Sequence, residues 1–167
     1  MSQNVYQPHN HSHCVANALS QAQSLCHDKG ARLTKVRQRV LELIWQSHKP
    51  VGAYELLPAL ANDGFNSAPP TVYRALDFLL DLGLVHRLHS LNAYVGCNHP
   101  GANHPVCFFI CEHCGQAQEL PNDKLNALTR QVEQVLGVQV HHQLTELTGL
   151  CPSCQPASGE TTANDHA

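Results

Sequence analysis

Apolar positions along this chain recur every three or four residues in some stretches and every second residue in others, so helices and strands can be told apart by eye. Residues 15–27 have helical spacing, and Asp28-Lys29-Gly30 closes them in the manner of a glycine C-cap. Thr34 suits the N-cap of a second helix, whose apolar face is Val36, Val40, Leu43 and Ile44 and which runs to about Ser47, ahead of Pro50. A third helix is expected over residues 53–62, kinked or ragged at Pro58. Pro69-Pro70 opens a fourth, with the stripe Val72, Leu76, Leu79 and Leu80, and Gly83 ends it. Two short runs, 84–89 and 92–97, then read as a β-hairpin across a polar turn. Helices followed directly by a hairpin describe a winged helix-turn-helix over residues 15–97, a module that lays one helix in the major groove of DNA.

Residues 98–105 are dominated by Pro, Gly, Asn and His and mark a hinge loop. Beyond it, strands over 106–111 and 116–120, a helix over 122–136 closed by Gly137 and a strand over 138–147 make a second, small α/β module spanning 106–154. The fold class is therefore α+β. Residues 1–14, with His9, His11 and His13 among Gln, Asn and Pro, have nothing to bury and read as a mobile tail, as does the polar stretch 155–167.

Charge sharpens this division. The net charge is −3, but residues 29–87 carry eight Lys/Arg against five Asp/Glu, while residues 88–167 carry two against seven. A basic module precedes an acidic one. No window approaches the roughly 18 apolar residues of a membrane span, and the first residues lack a signal or transit pattern. The expectation is a cytoplasmic protein with no membrane partner.

Eight Cys and thirteen His are more than packing asks for. Cys111-Glu-His-Cys114 and Cys151-Pro-Ser-Cys154 are paired Cys-x-x-Cys units at strand ends, the way two knuckles present four thiolates to one tetrahedral zinc. A second constellation is His86 and Cys97 on the hairpin, His104 in the hinge loop and Glu119 past the first knuckle. Imidazole, thiolate and carboxylate suit zinc, and the thiolate disfavours magnesium or calcium. With a loop over 90–93, His86 would face Cys97 directly across the ladder. His99, Cys107 and His89 are alternative donors. For DNA, Thr71, Tyr73 and Arg74 lie in the first turns of the fourth helix, where side chains reach base edges; Lys35, Arg37, Arg39 and Tyr54 are candidates for phosphate.

Rival classes are a zinc enzyme and a thiol redox sensor. No His-Glu-x-x-His occurs, and none of the His is followed two residues later by Glu, so the zinc protease and deaminase signatures are missing. The chain is read as a non-enzyme with no small organic substrate.

The run Pro69-Pro70-Thr71-Val72-Tyr73-Arg74-Ala75-Leu76-Asp77-Phe78-Leu79 resembles the ferric uptake regulator family, and residues 20–154 follow that family's order of elements. Within it, Tyr94-Val95-x-Cys97, with His86 before and the paired knuckles after, is similar to the zinc uptake regulator branch. The resemblance implies a homodimeric repressor that binds operator DNA and holds two Zn2+ per chain. Cys111, Cys114, Cys151 and Cys154 would be the structural site. His86, Cys97, His104 and Glu119 would be the sensing site. Residues 106–154 would be the dimerisation domain. Pro58 departs from the usual helix formers at its position.

Overall fold

Small side chains at Cys14, Ala18, Ala22 and Cys26 recur every four residues along α1 (His11–Asp28) and let it lie close to α2 (Lys35–Trp45). The computed structural model describes residues 11–47, 49–101, 106–120, 123–141 and 143–156. Residues 11–14, expected in the tail, form the first turn of α1, because Cys14 and Val15 find apolar partners in the helical core. Thr34 caps α2 as expected, its side-chain oxygen accepting from the Arg37 N–H at 3.4 Å. A 3-10 turn, Ala53–Glu55, leads into α3 (Leu56–Asn62). Pro58 is thus in the first turn of α3, where a missing N–H costs nothing, and the predicted irregularity lies just before it. α4 (Pro69–Asp81) buries Val72, Ala75, Leu76 and Leu79 against these helices.

The hairpin differs from the sequence expectation in register. β1 (Val85–Leu88) pairs antiparallel with β2 (Ala93–Gly96), with Leu88 opposite Ala93 and His86 opposite Val95. The loop is 89–92, not 90–93, so His86 does not face Cys97 directly. Asn92 makes the difference: it takes a left-handed conformation, φ 48°, and its Oδ1 accepts from Arg87 Nη2 at 2.6 Å, closing the turn one residue early. A two-residue slip preserves faces, and Cys97, whose N–H donates to the Leu84 carbonyl at 3.0 Å, becomes the diagonal neighbour of His86.

β3 (Val106–Cys111) lies between β4 (Ala117–Leu120), antiparallel, and β5 (Leu144–Gly149), parallel, with α5 (Asp123–Leu136) in the crossover. β5 begins later than the predicted 138–147. The Val140 N–H donates to Glu133 Oε1 at 2.9 Å, which ties the segment after Gly137 to α5 instead of the sheet. Two apolar cores result. Val85 and Tyr94 join the helical one, whereas Leu88 and Val95, on the other face of the hairpin, join Val106, Phe108, Ile110 and Ala117 of the sheet. The hairpin is sandwiched between helices and sheet. Among the described residues no helix is long and apolar enough to cross a membrane.

Candidate functional site

β3 ends at Cys111 and turns back into β4 through Gly115, whose φ of 73° only glycine takes without strain. The Cys111 N–H donates to the Gln116 carbonyl and the Gly115 N–H to the Cys111 carbonyl, both at 2.9 Å. The second knuckle follows β5, with the Cys154 N–H donating to the Cys151 carbonyl at 2.9 Å. Parallel pairing of β3 with β5 brings the two knuckles to the same sheet end, Cys111 opposite Gly149. The four sulfurs of Cys111, Cys114, Cys151 and Cys154 lie within 4.8 Å of one another, and Cys114 Sγ is 3.9 Å from Cys151 Sγ. Zinc–sulfur bonds of about 2.3 Å in a tetrahedron separate sulfurs by about 3.8 Å, so the donors fit.

Electrostatics in this cluster point the same way. Backbone N–H groups of Cys114 and Cys151 hold the Cys111 thiol down to about 6, whereas its neighbouring sulfurs push Cys154 up to about 12. One thiolate is stabilised and further ones are opposed, the situation a divalent cation relieves.

The second group joins hairpin and sheet. One ligand atom each from His86, Cys97 and Glu119 lie within 4.8 Å of one another. Cys97 and Glu119 are buried, at 2% and 4% exposure, where little water reaches either side chain. Burial and then the Glu119 charge push the Cys97 thiol up to about 12. Glu119 is oriented by the Asn98 N–H, which donates to its Oε2 at 2.9 Å, and the His86 ring meets the Phe108 ring edge-on at 5.6 Å. An N, S and O donor set of this kind suits zinc. His104 lies outside the described residues. Of the substitutes, His99 reaches Cys97 through its backbone N–H, while Cys107 and His89 join neither cluster.

In the helical module, Tyr54 and Tyr73 are exposed and pack edge to face, centroids 6.4 Å apart. Arg74 is exposed beside them; its Nε donates to the Pro70 carbonyl at 3.1 Å, and no ion pair joins it to Asp77. Thr34, Arg37, Asn66, Thr71 and Arg74 line one open groove. Lys35 is exposed. Arg37 stacks on Phe78, 3.6 Å from the ring centroid, and donates to the Arg32 carbonyl at 2.7 Å. Arg39 is engaged with Asp63 at 2.6 Å and Glu42 at 3.1 Å, so its charge is largely spent within the chain.

The ferric uptake regulator family model matches residues 28–148. The chain belongs to the ferric uptake regulator family. Members are regulators, and this one is not an enzyme. It is 36% identical over 137 residues to the zinc uptake regulation protein of Escherichia coli (strain K12), covering 81% of this chain and 80% of that one. A solved zinc uptake regulator complexed with zinc and DNA superimposes with a TM-score of 0.79 at 35% identity, over 84% of this chain and 94% of the other. The protein XcZur gives a TM-score of 0.74 in its holo form at 44% identity, over 81% of this chain and 95% of that one. Its apo form gives 0.50 at 42% identity, over 84% and 97%. At nearly equal identity, this chain is more similar in shape to the holo form than to the apo form.

Sequence reasoning missed Glu146, Phe108 and Trp45. Glu146 accepts hydrogen bonds from hairpin residues 56 and 57 positions earlier, a separation that no local pattern signals. Trp45 lies over Gly96, where a Cβ would come within 2.1 Å of its ring; a Gly preceding a candidate ligand was the available hint.

Proposed function

We propose that this chain is a zinc-responsive transcriptional repressor that binds operator DNA as a homodimer and controls zinc uptake genes. The observation that carries the reading is the cluster of His86, Cys97 and Glu119, donors from two elements that meet only when the hairpin is docked on the sheet. Residues 15–97 are the DNA-binding domain, 98–105 the hinge and 106–154 the dimerisation domain. Each chain holds two zinc ions, one on Cys111, Cys114, Cys151 and Cys154, the other on His86, Cys97 and Glu119 with His104 as the fourth donor. Zinc supplies a bond network that only the docked arrangement completes. His86 and Cys97 then move with the wing, Glu119 stays with the sheet, and the distance between the two recognition helices of a dimer becomes fixed. Moving a two-state equilibrium from 1:99 to 99:1 takes about 5.5 kcal/mol, within reach of a ligand that loses donors in the open state.

Thr71, Tyr73, Arg74 and Tyr54 present the reading surface to DNA, and Lys35 and Arg37 flank it. Arg39, already paired, contributes least. Dimerisation is supported by α5, which leaves Leu128, Val135 and Leu136 at 52%, 74% and 66% exposure, and by β5, an edge strand of the sheet with Leu147 exposed. The redox alternative needs an accessible low-pKa thiol in a knuckle, whereas Cys111, the thiol held low, is 1% exposed, and the half-buried Cys114 and Cys154 are pushed up. The test is titration of DNA binding at buffered free zinc: affinity that rises with zinc supports the reading, and affinity indifferent to zinc overturns it.

A further inference from the structure

One rung of the three-stranded sheet carries Glu119 on β4, Phe108 on β3 and Glu146 on β5, because Phe108 is the register partner of both glutamates. Directly opposed residues share a face, so three side chains stand in a row toward the hairpin. Glu119 meets Cys97 and His86, Phe108 meets the His86 ring, and Glu146 meets the turn. That last contact uses both carboxylate oxygens. The His89 N–H donates to Glu146 Oε1 at 2.8 Å, and the Ser90 N–H donates to Oε2 at 3.3 Å, joined there by the Ser90 hydroxyl. Hairpin-turn N–H groups outside the ladder ordinarily face water. Here a carboxylate on another element satisfies two of them at once, and charge-assisted hydrogen bonds are the stronger kind.

We propose that Glu146 is a positioning residue, a metal-independent clasp that holds the tip of the wing on the sheet and thereby sets how much zinc the sensing site requires. The inference rests on the zinc-responsive reading above. Its logic is that of a ligand whose competent state is only partly populated: apparent affinity is the intrinsic affinity scaled by the docked fraction. The clasp raises that fraction before zinc arrives. It does so at the far end of the hairpin from Cys97, so the wing is fixed at two points and cannot pivot about either.

The experiment uses the full-length protein with its knuckle zinc in place, and zinc alone as the probe. Competition with a fluorescent chelator measures affinity at the second site for wild type, Glu146→Gln and Ser90→Ala. Hydrogen exchange follows the His89 and Ser90 amides with that site empty. The wild-type amides are expected to be protected without the second zinc. Glu146→Gln, which keeps one acceptor oxygen and turns an NH2 toward a donor, is expected to lose that protection and weaken zinc binding about tenfold, a loss of the size of one hydrogen bond to a charged group. Ser90→Ala is expected to weaken it two- to threefold, about the loss of one hydroxyl contact. Retained knuckle zinc and thermal midpoint separate these effects from misfolding. Unprotected wild-type amides, or an unchanged zinc affinity in Glu146→Gln, would overturn the clasp. Failure of wild type to bind a second zinc at all would instead overturn the zinc-responsive reading, while the amide protection would still report on Glu146.

Discussion

Cys97 is buried, adjoins a buried carboxylate and belongs to the hairpin, so its thiolate is costly unless a cation is shared with Glu119. Cys97→Ser is therefore expected to stay folded and keep its knuckle zinc while losing zinc-dependent DNA binding, as read by operator titration at buffered free zinc. Two arginines of the proposed DNA face separate by their intramolecular engagements. Arg74→Ala is expected to cost about 1 to 3 kcal/mol on the operator and relax preference at one base pair of each half-site, with little loss on random duplex. Arg37→Ala is expected to weaken all sequences alike and flatten the salt slope. It also gives up the Phe78 stack, worth about 0.5 to 1 kcal/mol at an exposed site, which a thermal melt without DNA would detect. Equal losses on operator and random DNA for Arg74→Ala would remove it from direct readout.

At the scale of elements, the knuckles depend on β3 and β5 being parallel neighbours, and zinc held by the four sulfurs would in turn pin the ends of those strands. Cys151→Ser is expected to unfold or monomerise the C-terminal half, and mild chelation is expected to strip the second site before the knuckles; metal content and sedimentation measured together check both. A variant that kept its dimer and melting temperature would deny the knuckles a structural role. How much of this was legible follows from what each element rests on. α2 and α4 were readable because caps and apolar stripes are local, and the knuckles because Cys-x-x-Cys spacing is. The hairpin register was misjudged by two residues, since the turn is decided by one side chain, Asn92, bonding Arg87. β5 was misplaced at its start because Glu133, on the preceding helix, holds Val140. The grouping of His86 and Cys97 survived the first error only because side chains repeat every two residues along a strand.

For the whole molecule, the apolar face of α5 and the open edge of β5 are expected to be covered by a second copy. Val135→Glu places a charge on a side chain already 74% exposed in the chain, so it is expected to leave the fold intact and shift the protein to monomer in sedimentation. Linkage adds a condition: DNA must tighten zinc binding by the same factor by which zinc tightens DNA binding, and unequal factors in paired titrations would break the proposed coupling. The contact between Trp45 and Gly96 carries one more consequence. Trp45 is the sole tryptophan of the chain, and its indole lines the same small cavity as Glu119, Phe108 and Gly96. Excitation that selects indole over Tyr therefore reports on the seam where α2, wing and sheet meet. Opening of that seam wets the ring and reddens its emission, so the unlabelled protein carries its own optical gauge of docking, readable in a stopped-flow instrument as zinc is added or withdrawn.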